Sequence, residues 1–342
     1  MWTSREGFTA DVCGWLIQKT LLSPWKTLPL LLLAQFTSHG REIAQQHPKL
    51  HYTLHGLASL AVIHRLNAWT NHKVLNNGVS DQYDWTRETV VLTGGSNGIG
   101  RHIALLLTKR GITVAILDIE PPTKETEDGD KIHYYECDIT SPDAIASAAT
   151  DIRSSLGTPT VLINNAGVCT GQTILSGTEA QTRRLFEVNT FSHYHIVREF
   201  LPALITANHG MVVTVSSQSG YTTAPNMVDY SASKAAAVAF HEGLAAELRT
   251  RYHAPRVRTV LVAQGFTRTG LIRNLTPEDT WFNPLLEPET VAEAVVDTVI
   301  KGRSGRVVVP GTSGWLACNI RSLPLWMQHW TRSRLERLMR AF

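Results

Sequence analysis

At 342 residues the chain is long enough for one large domain or two ordinary ones, and 43% hydrophobic against 18% charged residues allows a sizeable core. A formal charge of only +3, with no basic run interleaved with stacking aromatics in mid-chain, argues against a nucleic-acid partner. The four cysteines, Cys13, Cys137, Cys169 and Cys318, show no C-x-x-C spacing, which argues against a zinc knuckle or a disulfide framework and for a reducing compartment.

Residues 1–84 have their own texture, with Trp2, Trp15, Trp25 and Trp69, many histidines and two short apolar stretches. The first stretch, Leu28 to Phe36, is interrupted by Pro29 and falls short of the roughly 20 apolar residues that cross a bilayer. It also starts late and lacks a small-residue cleavage site, so it makes a poor signal peptide. The second, Leu57 to Ile63, is shorter still. His47, His51 and His55 fall four apart, on one helical face, but no nearby carboxylate or cysteine completes a coordination set. They read as a solvated histidine face, and no metal is expected. Asn76-Asn77-Gly78 is a turn signal that closes this region.

From Glu88 the rhythm changes. Thr89 to Leu92 reads as a buried strand, followed by a glycine-rich turn and a helix running through Ile103 to Lys109. Ile112–Leu117, Ile132–Glu136, Val161–Ile163, Met211–Val215 and Val257–Val262 read as further short apolar strands alternating with helices, and Glu120 to Asp130 as a solvated loop. Near-continuous apolar strands alternating with helices predict an α/β class: a doubly wound, mostly parallel sheet with helices on both faces. The expected organisation is an accessory, helical N-terminal extension over 1–84, a catalytic domain over 85–312 and an amphipathic basic tail over 313–342.

The turn is Thr93-Gly94-Gly95-Ser96-Asn97-Gly98-Ile99-Gly100, set directly between strand and helix. Glycines there let the backbone approach a pyrophosphate while the helix N-terminus offers amide donors. Gly94, Ser96, Asn97, Gly98, Ile99 and Gly100 are therefore cofactor candidates. Asp118 ends the second strand, 18 residues after Gly100, where a carboxylate can accept from two ribose hydroxyls and would repel a 2′-phosphate. Ile119 and Glu120 follow it instead of an arginine, so NAD is favoured, with NADP as the alternative.

Downstream come Asn164-Asn165-Ala166-Gly167, Asn189, Val215-Ser216-Ser217 and Tyr230-Ser231-Ala232-Ser233-Lys234. Tyr230 and Lys234, four apart, share a helical face. A cationic Lys234, together with a positively charged nicotinamide, would stabilise a phenolate at Tyr230 and let it act as the base that removes a hydroxyl proton. Ser217 would hold the substrate oxygen by a hydrogen bond. In this order, over about residues 86–310, the motifs resemble the short-chain dehydrogenase/reductase family, whose domain is Rossmann-type. The resemblance implies that Asn189 anchors a water linking Lys234 to solvent. It also implies that Asp138 and Ile139 lie beside the adenine, and Asn165, Ala166 and Gly167 near the cofactor ribose. Ser216 rivals Ser217, but the family spacing selects Ser217. The family usually has Pro-Gly after the sixth strand, where this chain has Gln264-Gly265-Phe266-Thr267; Phe266 and Thr267 are the cofactor candidates of that loop.

Within the family the chain resembles the membrane-associated retinol and 17β-hydroxysteroid dehydrogenases, which also carry an apolar N-terminal extension. The tail sets Trp315, Leu316, Ile320, Leu323, Trp326, Met327 and Trp330 among Arg321, Arg332, Arg334, Arg337 and Arg340, a composition suited to a bilayer interface, a helix over the substrate cleft, or a dimer contact. Leu271, Ile272, Trp281, Phe282 and Leu285 are candidates to line an apolar cleft. The expected substrate is a retinoid, a steroid or a long-chain alcohol, interconverted between hydroxyl and carbonyl. The expected location is the cytoplasmic face of an intracellular membrane, endoplasmic reticulum or lipid droplet, and otherwise the cytoplasm; family habit suggests a homodimer or homotetramer. The alternatives are a soluble secondary-metabolite ketoreductase and a nicotinamide-binding lipid-droplet scaffold without turnover.

Overall fold

A computed structural model describes residues 5–122, 131–272 and 280–338. Seven strands form one sheet: β1 (Thr89–Thr93), β2 (Thr113–Asp118), β3 (Ile132–Glu136), β4 (Val161–Asn164), β5 (Met211–Val215), β6 (Arg258–Gln264) and β7 (Gly305–Val309). Their order is β3-β2-β1-β4-β5-β6-β7, and every pair is parallel. The sequence reading located the first six strands and missed β7, whose Gly305-Arg306 start breaks the apolar run.

The period-2 alternation of strand side chains feeds two separate cores. Val90, Leu92, Val114, Ile116 and Ile163 point to the face covered by α5 (Gly98–Thr108) and α10 (Pro288–Ile300). Val91, Leu117, Leu162 and Val212 point to the other face, covered by α6 (Pro142–Leu156), α8 (Ser192–Ala207) and α9 (Val228–Thr250). Because β1, β4, β5 and β6 are buried on both faces, these strands are near-continuous apolar runs, which is why they were legible without alternation. The strand order reverses between β1 and β4, opening a crevice at the carboxyl ends of the strands.

The N-terminal helices are α1 (Ala10–Lys19), α2 (Pro24–Phe36), α3 (Ser38–Gln46) and α4 (Pro48–Leu75). Residues 5–12 are built into the catalytic body. Arg5 pairs with Glu293 through both guanidinium nitrogens (2.7 and 2.8 Å), Glu6 accepts from the Glu287 amide and the Thr290 hydroxyl, and Asp11 caps the amides of Gly311 and Thr312. The α2–α4 unit, by contrast, packs mainly on itself. Trp25 is 83% exposed, and Leu30, Phe36, Leu60, Ile63 and Trp69 are also exposed. None of the helices among the described residues is long and apolar enough to cross a membrane. His51 and His55 are half-buried, with their Nε2 atoms 3.2 Å apart and Gln35 3.0 Å from His55, so they face a helix contact and not solvent as expected. Trp2 and Arg340 lie outside the described residues.

The segment after α4 is latched beneath the sheet. Arg258, 1% exposed, donates to the carbonyls of Asn76 (3.1 Å) and Val79 (2.9 Å), and the Tyr83 hydroxyl donates to the Gly210 carbonyl (2.7 Å). These bonds satisfy backbone groups that burial would otherwise leave unpaired.

Candidate active site

At the switch point, Asn165 stitches the ends of β1 and β4 together. Its side-chain amide donates to the carbonyls of Thr93 (3.0 Å) and Gly94 (2.9 Å), while the Thr93 hydroxyl accepts from the amides of Asn165 and Ala166. The glycine turn lies above this stitch. Gly94 sits at φ +66°, and a Cβ there would come within 2.8 Å of the Ala166 Cα; at Gly100 it would run into the Gly94 carbonyl oxygen. The backbone therefore closes tightly under an elongated cavity of about 590 Å³. Gly94, Asn97, Gly98, Ile99, Asp118, Asp138, Ile139, Asn165, Ala166, Gly167, Tyr230 and Lys234 line it, as a nucleotide site requires. Ser96 and Gly100 lie behind this lining. Ser96 braces the end of β2 by donating its amide to Asp118 (3.0 Å) and its hydroxyl to the Glu120 carbonyl (2.6 Å).

Four neighbours, Glu120, Arg184, Thr269 and Gly270, were not singled out as site residues from the sequence. Glu120 accepts from the Asn97 amide nitrogen (3.2 Å), so two carboxylates, Asp118 and Glu120, stand at this end of the cavity. Arg184, at the opposite wall, pairs with Asp138 (3.3 Å) and donates to the Thr140 hydroxyl (2.7 Å). Together with hydrogen bonds from Thr140, that arginine holds Asp138 below the usual carboxylate range despite partial burial. After β6, the structure places Thr269, Gly270 and Leu271 against the nucleotide cavity. Phe266 instead lines a second cavity, and Thr267 is buried in a bridge to Leu286. No local sequence signal separates these positions, because the path of the chain after β6 is fixed by β7 and α11 (Gly311–Asn319).

The second cavity, of about 460 Å³, adjoins the first. Ser217, Met227, Tyr230, Phe266, Leu271 and Phe282 form its inner wall, and Leu316 of α11 with Trp330 and Leu335 of α12 (Leu325–Leu338) closes it. Of the predicted cleft residues, Leu271, Ile272 and Phe282 line it; Trp281 is exposed, and Leu285 is not part of the lining. The tail helix thus packs over the cleft, while Trp326 and Leu325 remain exposed.

The catalytic candidates meet where the two cavities join. Ser217 caps a short turn, accepting from the Ser219 amide (3.1 Å) and donating to the Gln264 carbonyl (3.3 Å). Ser216 is fully buried and spends its hydroxyl on the Lys234 carbonyl (2.8 Å), so Ser217 is the serine that faces the cavity. Asn189 lies in a π-helical turn, Glu187–Phe191, a geometry frequent at functional sites. Its side chain accepts from the Val168 amide (2.8 Å) and donates to the Val168 carbonyl (2.9 Å) and the Ser233 hydroxyl (3.1 Å), which spends both amide hydrogens within the protein and leaves Oδ1 one lone pair. Gly167 has no side chain where a Cβ would approach Lys234 Nζ (3.3 Å) and Asn189 Oδ1 (3.4 Å), so these three residues converge.

Lys234 is 2% exposed and donates to the Val215 carbonyl (3.0 Å), with its ammonium 5.8 Å from the Tyr230 ring centroid. Burial pulls it down to about 8. Burial also pushes the Tyr230 phenol well above its ordinary value, the nearby Cys169 adding to this and hydrogen bonding with Ser217 opposing it. Within the protein alone, then, the net shift on Tyr230 is upward.

The family model for short chain dehydrogenases matches residues 88–280. The chain belongs to the short-chain dehydrogenase family. Dehydrogenase RED2 of Cochliobolus heterostrophus is 45% identical over 212 residues, covering 61% of this chain and 80% of that protein. Estradiol 17-beta-dehydrogenase 11 of Rattus norvegicus is 33% identical over 243 residues, covering 69% and 80%. Such relatives bear out the resemblance to the 17β-hydroxysteroid dehydrogenase subgroup. The ligand-free aldohexose dehydrogenase of Thermoplasma acidophilum superposes with a TM-score of 0.56 at 25% identity, covering 67% of this chain and 94% of that one. This short-chain dehydrogenase is accordingly an oxidoreductase acting on CH–OH groups, in a family that binds NAD(P). The family match ends before the helices that close the second cavity.

Proposed function

We propose that the protein is an NAD-dependent dehydrogenase that interconverts a hydroxyl and a carbonyl on a largely apolar substrate, with Tyr230 as general acid and base. The observation that carries this reading is that Tyr230 lines both cavities; Leu271 does so too, but only Tyr230 has a proton to exchange. The nicotinamide cofactor, when bound, supplies the hydride acceptor or donor. The closed glycine turn and the cavity above it fit such a group: Gly94, Gly98 and Ile99 would hold its pyrophosphate and Asp118 its ribose.

The residues then divide the work. In reduction, the protonated Tyr230 donates to the developing alkoxide while the Ser217 hydroxyl orients the substrate oxygen. In oxidation, Tyr230 takes the hydroxyl proton, and the positive charge of Lys234 offsets the cost of a buried phenolate. Asn189 acts as a positioning residue, tying the π-turn to Val168 and to Ser233 beside Lys234. Asp118 and Glu120 both disfavour a 2′-phosphate by charge repulsion, which supports NAD over NADP.

The exposed apolar side chains of α2–α4 and of the tail helix support attachment to a lipid surface, from which an apolar substrate would reach the second cavity. Nicotinamide absorbance with NAD and NADP against apolar alcohols and ketones tests the reading. Turnover that collapses in Tyr230→Phe upholds it, and turnover indifferent to that change overturns the catalytic assignment.

A further inference from the structure

Among the described residues, the second cavity has one formally charged residue in its lining, Arg334 on α12. The other walls are apolar side chains, hydroxyls and amides, with Tyr230 buried at the inner end and Arg334 exposed at the rim. Its guanidinium lies 4.1 Å from the Trp330 ring centroid. Such a stack occupies the flat face of the guanidinium and leaves the N–H donors along its edge to bind a planar oxyanion in fork geometry.

Among the described side chains, the neighbouring arginines are committed elsewhere. Arg321 donates to the carbonyls of Gly220 and Tyr221 (both 3.2 Å), Arg332 donates to Gln328 (3.0 Å), and Arg306 lies over the Tyr221 ring (4.6 Å). Arg334 makes no ion pair with a carboxylate among the described residues. The next residue, Leu335, packs against the cluster that contains Met227 and Tyr230, so this turn of α12 is anchored over the chemical centre. A cation held on an aromatic face at the mouth of an apolar cavity is placed to pair with an anion carried by the molecule inside, and charge-assisted fork pairs are the strong ones.

We propose that the substrate is an amphipathic anion: an apolar skeleton that presents its hydroxyl or keto carbon to Tyr230 and a carboxylate to Arg334. The inference rests on the proposed hydride-transfer reading for the inner end of the site and adds a recognition element at the outer end. It makes spacing matter, because the carboxylate and the reacting carbon must reach two fixed points.

The test uses the full chain with a series of oxo fatty acids, the ketone at increasing distance from the carboxylate, each compared with its methyl ester. The expected result is a preference for the acid of about tenfold in kcat/KM, carried by KM and peaking at one spacing. Arg334→Gln abolishes that preference while leaving the ester rate unchanged, and Arg334→Lys keeps part of it. Equal rates for acid and ester, or a preference that survives Arg334→Gln, overturn the proposal. Calorimetric binding of laurate to Tyr230→Phe separates the two readings. Laurate affinity that depends on Arg334, with no ketone or alcohol turned over by the wild type, upholds the anion site and overturns the dehydrogenase assignment. Pelleting with phosphatidylserine vesicles that falls in Arg334→Gln, at an unchanged acid-to-ester ratio, identifies the anion as a lipid headgroup and overturns the substrate assignment.

Discussion

The two cavities that meet at Tyr230 are built on different principles. The first cavity, the proposed nucleotide site, is floored by short motifs after β1, β2, β3 and β4 and joined by Tyr230, Lys234 and residues 269–271, and its polar groups are tied down: Asp118 by the Ser96 amide, Asp138 by Arg184, Asn165 by two carbonyls. The substrate cavity draws on segments as far apart as Cys169 and Leu335, is walled by apolar side chains, and is closed by a helix beyond the family match. The difference teaches where each function tolerates change. A rigid, hydrogen-bonded cradle serves a constant ligand, whereas an apolar cavity roofed by a late helix can be reshaped without disturbing the cradle.

The sharpest way to break that division is at Tyr230, the residue with an exchangeable proton that lines both cavities. Tyr230→Phe is expected to lower kcat/KM by about 1000-fold while the dissociation constant for NAD, followed by nicotinamide fluorescence, stays within about threefold. A comparable loss of NAD affinity would mean the phenol belongs to the cradle rather than to the chemistry.

Lys234 supplies the next largest effect, on stability. A drop from 10.5 to about 8 corresponds to roughly 3 kcal/mol against folding. Below about pH 8 the lysine is protonated in both the folded and unfolded chain, so this cost is fully present. Between there and 10.5 only the unfolded chain keeps the proton, and the cost fades as pH rises. Lys234→Met should therefore raise the melting temperature of the nucleotide-free protein at pH 7, less the lost bond to Val215, and the gain should shrink by pH 10. Calorimetry at the two pH values checks the sign.

Gly94→Val forces a β-branched residue to φ +66° and drives its Cβ into Ala166, so NAD affinity should fall about 30-fold, roughly 2 kcal/mol. The KM for a poor, small alcohol should move little if the cavities are as independent as their construction suggests. The smallest effect sharpens cofactor choice: Asp118→Asn with Glu120→Gln should narrow the ratio of NAD to NADP efficiency about tenfold, read from the two nucleotides' kcat/KM.

Much of this was legible in the sequence because the information is local. A strand buried on both faces must be apolar, a phosphate-binding turn must be glycine-rich, and Tyr230 and Lys234 four apart must share a helical face whatever surrounds them. The structure added what local rules do not encode. Gly305-Arg306 gave no strand signal, yet β7 pairs with β6 along its whole length. Ser216 and Ser217 differ by one residue, and only the packing of α9 shows which hydroxyl is spent on the helix backbone.

The sequence by itself determined the family and the class of sheet, and pointed to the proposed reacting groups, since each follows from residue type at fixed short spacing. Tertiary structure decided three further matters. Residues 5–12 are part of the catalytic body, Phe266 lines the second cavity rather than the first, and burial pushes the Tyr230 phenol of the nucleotide-free protein up. All three depend on which distant segments exclude water from a given side chain, and desolvation is a property of the assembled fold.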